Sequence, residues 1–321
     1  MRFIIRADAY INSGTGHVMR SCVIAEELIY RGHEVIFIGN TSEIPWINEY
    51  VNGLGFSQIF QAAAGFVSNP NSDVLILDSY EIDSSTTFIQ PINWHKVVVL
   101  VDDETPQYSA KLYIHPGPGT RWEPPDAKTE FQFISGIEYL LIRKSIRELA
   151  PTSSIGKIWD SNILIVGGGS DPTNFCKSLI EKLSLIPFDF KACVIAKELN
   201  IASTDERFRI LNFGIEIEDL LKRADLVLTT AGTTSWEVLS VGITTGVACA
   251  MNNQRSNYIF QTSNAMAIGI GEFSSKGIWY FDQSALEILI KNGHKMEQAG
   301  SPVNRLWIGR GLTTLMELIL T

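Results

Sequence analysis

The stretch Phe3-Ile4-Ile5-Arg6-Ala7-Asp8, followed by Gly14-Thr15-Gly16-His17 and then Arg20, decides how the rest of the chain is read. Residues 3–5 form a short, wholly apolar run, the pattern of a strand buried on both faces. A glycine-bearing loop follows, and over residues 17–30 apolar side chains recur at helical spacing. Strand, glycine loop and helix in that order make the opening unit of an α/β domain. Further strand-like runs at residues 35–38, 74–77 and 97–101 are separated by segments long enough to hold crossover helices, which implies a parallel sheet covered on both faces.

A polar stretch containing Pro151, Thr152, Ser153, Ser154 and Gly156 interrupts this periodicity, and a second series of runs begins near Asn162. It passes through residues 163–166, 190–195, 208–211, 226–229 and 245–250. The expected architecture is therefore α/β, with two Rossmann-like domains, residues 1–150 and 151–321, facing across a cleft at the C-terminal ends of their strands. A length of 321 residues agrees with about two domains of roughly 150 residues each.

Composition narrows the function classes. An apolar content of 45% with 19% charged residues excludes a disordered or low-complexity chain. With 26 basic against 35 acidic residues the net charge is −9, which gives no electrostatic footprint for nucleic acid or anionic lipid. The longest apolar runs fall far short of the roughly 20 residues that span a bilayer, so no membrane insertion is expected. Arg2 and Arg6 bracket only three apolar residues, so the N-terminus reads as a first strand rather than a secretory signal, and a cytoplasmic monomer is expected. Cys22, Cys176, Cys193 and Cys249 are scattered through apolar patterns and share no metal-binding spacing with the histidines, so neither a metal nor another cofactor is expected.

Three segments can carry chemistry. In the first, His17 stands in the opening turn of a helix, where unpaired backbone N–H groups and the helix dipole disfavour its protonated form. A neutral imidazole can act as a general base, and Gly14 and Gly16 let a substrate approach the backbone closely. A histidine that only caps or packs the helix is the plainer alternative, but a position after a glycine loop at a strand's C-terminal edge favours the catalytic reading. A dinucleotide site is not expected, because Met19 replaces the third glycine and the second strand ends in Gly39-Asn40 without a ribose-binding acid.

In the second segment, Gly167-Gly168-Gly169-Ser170-Asp171-Pro172 lies between a strand and a helix expected to begin near Thr173, with Pro172 in its first turn and Asp171 or Ser170 as cap. The glycines can open that helix start to a diphosphate, or simply form a flexible connection. The third, Thr229 to Glu237, gathers Gly232, Thr233, Thr234 and Ser235 at another helix start. These can donate to phosphate oxygens while Glu237 accepts from ribose hydroxyls; the alternative is an N-cap cluster with an ordinary first-turn glutamate. Two such helix starts in one domain point to a nucleotide diphosphate. The amides Asn252-Asn253-Gln254, after the next strand, can cap a helix or read sugar hydroxyls and acetamido groups. Asp78-Ser79-Tyr80 and Asp102-Asp103 end first-domain strands; strand termination explains them, and a metal pair is discounted because neighbours on a strand face opposite ways.

Taken together and in this order, these segments resemble the hydrolase family of bacterial pseudaminic acid biosynthesis and the related spore-coat polysaccharide proteins. The matching residues are Arg6, Asp8, Gly14, Gly16, His17 and Arg20, then Gly168, Gly169, Asp171 and Pro172. Residues 231–237 and Asn253-Gln254 complete the match. Residues 136–143, with Tyr139, look like the family's interdomain segment. The resemblance implies a GT-B fold and hydrolysis of UDP-2,4-diacetamido-2,4,6-trideoxy-β-L-altropyranose to UDP and the free sugar. Water would attack the anomeric carbon with inversion and His17 would act as base. It further implies substrate contacts from Arg6, Asp8, Gly14, Gly16, Arg20, Tyr80, Asn253 and Gln254. Nucleotide contacts would come from Gly168, Gly169, Asp171, Gly232, Thr233, Thr234, Ser235 and Glu237. Thr233 stands where the family usually has a glycine, and Thr234-Ser235 reverses its usual order. An inverting glycosyltransferase using a UDP-sugar, and a non-catalytic nucleotide-sugar binding subunit, are the competing readings.

Overall fold

The computed structural model describes residues 1–79, 82, 85–102, 108–119, 130–149, 162–197, 205–214, 216–292 and 308–321. The chain divides into two compact units, Met1–Leu141 together with Gly309–Thr321, and Ile142–Ile308. In the first unit the strands β1 (Arg2–Ala7), β2 (Glu34–Ile38), β3 (Gln58–Phe60), β4 (Asp73–Asp78), β5 (Lys96–Leu100), β6 (Leu112–His115) and β7 (Gln132–Ser135) form one sheet in the order β3-β2-β1-β4-β5-β6-β7. All of its pairings are parallel. Helices α1 (Gly16–Tyr30) and α2 (Pro45–Gly53) follow β1 and β2.

The apolar opening run does what a strand buried on both faces must do. Phe3, Ile5 and Ala7 enter a core with Val18, Cys22, Ala25 and Leu28 of α1, while Ile4 points the other way into a core with Ile36, Leu75 and Val97. Phe3, Ile4 and Ile5 are each 0% exposed, so each contributes roughly 1.5–3 kcal/mol of apolar burial.

The second unit repeats the plan. Helix α3 (Lys144–Arg147) precedes β8 (Asn162–Val166), α4 (Phe175–Leu183), β9 (Lys191–Ile195), β10 (Phe208–Leu211), α5 (Ile217–Leu221) and β11 (Leu226–Thr230). Then come α6 (Thr233–Val241), β12 (Thr244–Cys249), α7 (Arg255–Ser263), β13 (Ile268–Phe273), β14 (Trp279–Phe281) and α8 (Gln283–Asn292). The sheet order is β10-β9-β8-β11-β12-β13-β14, parallel except for the final antiparallel hairpin pair. In each sheet the chain winds outward on one side and then returns to the other, so the strand order reverses between β1 and β4 and again between β8 and β11. Such switch points leave a crevice at the strands' C-terminal ends, where ligands of open α/β sheets bind.

The expected strands at β1, β2, β4, β5 and β8 to β12 are all present, whereas β3, β6, β7, β13 and β14 were not anticipated. The missed strands are short, partly exposed, or carry glycines, as in Ile-Gly-Ile-Gly-Glu-Phe of β13. The units depart from the expected division at 150/151 in two places, and in the first of them residues 142–149, with α3, fall in the second unit. The last helix, α9 (Leu312–Leu320), belongs with the first unit and not with the second half of the chain. Its Leu312, Leu315, Met316 and Ile319 are buried in the core that holds Phe3 and Val23, and Lys96 Nζ donates to the Leu318 carbonyl at 2.5 Å. An amphipathic stripe announces that a helix must be covered without naming what covers it. The expected linker residues 151–156 lie outside the described residues. Among the described residues no helix is long and apolar enough to cross a membrane.

Gly39, just beyond β2, tests how tightly the strand ends are packed. A Cβ there would lie 1.7 Å from the Ala7 carbonyl oxygen, a backbone atom that cannot give way. Gly39→Ala is expected to destabilise the protein by about 1–3 kcal/mol. Gly53→Ala, where a Cβ meets nothing within 4 Å, is expected to be neutral or slightly stabilising, both read by denaturant unfolding.

Candidate active site

The first unit's switch point is occupied by a buried polar cluster. The left-handed Gly14 (φ 85°) closes the loop after β1 through its N–H to the Tyr10 carbonyl, and α1 begins at Gly16, so His17 and Arg20 fall on successive turns facing the end of β4. Asp78, the last residue of β4, has a side chain 1% exposed and stands at the centre. Its Oδ1 lies 2.5 Å from His17 Nδ1 and 2.5 Å from Arg20 Nη2, which donates to it. Oδ2 accepts from Arg20 Nε at 2.6 Å and from Ser21 Oγ at 3.1 Å. Arg20 Nη1 reaches on to Asp102, beyond the end of β5.

Burial works against a charged Asp78, but the Arg20 guanidinium and His17 beside it hold its carboxyl well below the usual carboxylate range. Asp102 is lowered in the same sense, its burial outweighed by Arg20. An ionised carboxylate cannot donate, so the close contact with Asp78 puts a proton on His17 Nδ1 and, in the neutral ring, the lone pair on Nε2. The 3.2 Å approach of Arg20 Nη2 to the same Nδ1 is then an electrostatic contact, since both atoms carry hydrogen.

Arg6 and Asp8 form a second cluster. Arg6 Nη1 lies 2.6 Å from Asp8 Oδ2, while Asp8 also accepts from the Asn40 N–H at 2.8 Å and Ser79 Oγ at 3.2 Å. These bonds tie together the ends of β1, β2 and β4, a structural task that the substrate reading of Arg6 and Asp8 did not include. Arg20, also expected at the substrate, instead spends its guanidinium on Asp78 and Asp102. Tyr80 and Asp103 lie outside the described residues. As strand-end acids Asp78 and Asp102 carry no distinctive motif, and Ser21 stands in none of the three segments. The available signal was an acid closing an otherwise apolar strand next to the switch point.

In the second unit the two glycine-bearing helix starts prove unlike. Helix α4 begins at Phe175, not near Thr173, and the Asp171 carboxylate reaches over the intervening turn to accept from the Phe175 N–H at 2.7 Å and the Cys176 N–H at 3.0 Å. Burial pushes the Asp171 carboxyl up despite those donors. Two of the leading N–H groups of α4 are thus taken by an internal acid. Gly168 is left-handed (φ 89°) with open space where a Cβ would stand, and Gly169 follows it in the same loop.

Helix α6 begins at Thr233, and its N-cap residue, Gly232, has no side chain with which to cap it. Thr233 and Thr234 are half-buried, and the Gln254 amide lies close to Gly232, 3.4 Å from where a Cβ would stand. Gln254 Oε1 in turn accepts from the Ala250 N–H at 3.1 Å, and Asn253 holds a buried Oδ1 without a hydrogen-bond partner among the described residues. Ser235 turns inward: its Oγ donates to the Gly232 carbonyl at 2.7 Å and accepts from Gln261 Nε2 at 2.8 Å. Glu237, expected as a ribose acceptor, receives the Arg143 guanidinium, Nε at 2.6 Å and Nη2 at 2.9 Å. Among the described residues no cluster of three or more His, Cys, Asp or Glu can hold a metal ion.

The lowered Asp78 fixes a pH dependence. A carboxyl whose folded value is depressed adds stability that is complete above its unfolded value, about pH 3.9, and is lost as the pH falls through the folded value. Asp78→Asn is expected to cost about 3–5 kcal/mol at pH 7, with the gap from wild type narrowing on acidification, in urea unfolding at several pH values.

No family model matches the chain. A protein of Methanocaldococcus jannaschii known as uncharacterized protein MJ1062 is 26% identical over 284 residues, taking in 80% of this chain; the chain spans 57% of that relative's length. Among solved structures, the chain resembles MurG of Acinetobacter baumannii (TM-score 0.59, 14% identity, 100% of this chain and 99% of that one). It also resembles the spinosyn forosaminyltransferase SpnP (0.64, 11%, all of both chains) and Anabaena HepE in complex with UDP-glucose (0.63, 13%, 100% and 98%). The chain therefore has the α/β fold of the GT-B glycosyltransferases, with two Rossmann-like domains.

Proposed function

We propose that the protein is an enzyme acting on a UDP-sugar, and that it hydrolyses UDP-2,4-diacetamido-2,4,6-trideoxy-β-L-altropyranose, releasing UDP and the free sugar. The observation that carries this reading is the buried pair between His17 Nδ1 and Asp78, which fixes the imidazole with Nε2 as its basic atom at a switch point. Nε2 takes a proton from the attacking water as oxygen bonds to the anomeric carbon. The C1–O bond to the diphosphate breaks on the opposite face, and Asp78 stabilises the imidazolium that forms. The leaving group already carries negative charge and needs stabilisation more than it needs an acid.

The N-terminus of α6, where the N-cap is a glycine and Thr233, Thr234 and the Gln254 amide lie near, supports diphosphate binding there in preference to α4, where Asp171 already supplies a carboxylate. A second reading has its own support. The solved structures sharing the fold include a forosaminyltransferase and a protein in complex with UDP-glucose. The same His17 would then deprotonate an acceptor hydroxyl instead of water.

Incubation with the UDP-sugar and no acceptor, followed by NMR, separates the two. Hydrolysis predicts release of UDP and free sugar, lowered on the order of a hundredfold or more in His17→Ala. No turnover without acceptor would reject hydrolysis. For the nucleotide, Gly232→Asp is expected to weaken UDP binding at least about tenfold, roughly 1.4 kcal/mol, while Asp171→Asn leaves it within about twofold, both by calorimetry.

A further inference from the structure

Arg20 is placed where a substrate contact was expected, yet its guanidinium is committed inside the protein. Three of its bonds run to carboxylates: Nε to Asp78 Oδ2 at 2.6 Å, Nη2 to Asp78 Oδ1 at 2.5 Å, and Nη1 to Asp102. Its side chain is only 10% exposed, and those of Asp78 and Asp102 are 1% and 17% exposed. A fork that grips both oxygens of one carboxylate and then a second acid is a rigid device, unsuited to releasing a donor to each arriving ligand.

We infer that Arg20 and Asp102 are positioning residues that set the charge on the His17–Asp78 pair, with Arg20 restraining and Asp102 restoring the pull of Asp78 on the imidazole proton. This rests on His17 being the base. A buried carboxylate alone beside a histidine favours the imidazolium, which has no lone pair to accept a proton. Arg20, neutralising Asp78 through two hydrogen bonds, opposes that effect while keeping the Nδ1–H bond that orients the ring. Asp102 partly offsets Arg20. Among the described residues the charged groups shown to act on His17 come from three elements: Asp78 from β4, Arg20 from α1 and Asp102 from beyond β5. Arg6 and Asp8, at the end of β1, are paired with each other. With a neutral imidazole the set carries one net negative charge; with an imidazolium it carries none.

Opposite-signed changes follow from the two partners, which a merely structural role would not produce. The protonation midpoint of His17 can be followed in imidazole nitrogen NMR spectra of the full chain, its signal identified by its loss in His17→Ala. Arg20→Gln is expected to raise the midpoint by about one pH unit or more, and Asp102→Asn to lower it in the opposite sense; Arg20→Lys, which keeps the charge, is expected to stay near wild type. The acid limb of the kcat/KM profile, measured on the UDP-sugar, is expected to move with the midpoint in each variant. Folded variants with unmoved midpoints, or with midpoints moving in the same direction, would overturn the inference. Should Arg20→Gln not fold, an unmoved midpoint in Asp102→Asn overturns it alone. The NMR readout needs no substrate, so a wrong UDP-sugar leaves this test standing; midpoints that move as expected while His17→Ala retains full turnover would reject His17 as base and, with it, the catalytic meaning of Arg20 and Asp102.

Discussion

A carboxylate 1% exposed at the end of a parallel strand is tolerable only if its charge is met on nearly every side, and Asp78 is met by His17, Arg20 and Ser21 together. Much of the first unit is arranged around that requirement. The left-handed Gly14 turns the chain so that α1 starts at Gly16, and helical spacing then puts His17, Arg20 and Ser21 against the same strand end. The apolar residues of α1 on its other side fix the helix to the sheet, so the polar cluster inherits the rigidity of the core beneath it.

The same economy explains why the charged residues divide into separate groups. Arg6 with Asp8 ties the ends of β1, β2 and β4, while Arg20 with Asp78 and Asp102 ties α1 to the ends of β4 and β5. Both groups sit on the C-terminal edge of one sheet, and each arginine satisfies acids that would otherwise be left uncompensated. What remains chemically distinctive is an imidazole whose orientation is fixed by an ionised partner.

The second unit shows how one local pattern gives two different outcomes. After β8 and after β11 the chain passes through glycine into a helix, yet Asp171 closes the first helix start while the second has a glycine as its N-cap and, among the described residues, no acid shown on its leading N–H groups. Where an acid already accepts the leading N–H groups, an incoming anion meets like charge and fewer donors; where none does, the helix terminus keeps its positive potential. Glu237 differs in a similar way from its sequence reading, because the Arg143 guanidinium at the start of this unit reaches both of its oxygens.

The residues by themselves determined the α/β class, the repetition of that plan in both halves, most of the central strands and the importance of the loop before His17. These are local properties: continuous apolar runs, turn glycines and helical periodicity are written in consecutive residues. The edge strands escaped because three or four half-exposed residues carry little pattern, and α9 was assigned to the wrong half because its apolar face fits any core. Only the tertiary structure brought Asp78 and Asp102 to His17 and Arg20, 61 and 82 residues apart in sequence for the His17–Asp78 and Arg20–Asp102 contacts. Strand order in a parallel sheet is set by crossover connections, and it is the side-by-side placement of β1, β4 and β5 that turns two apparent strand terminators into the partners of a histidine.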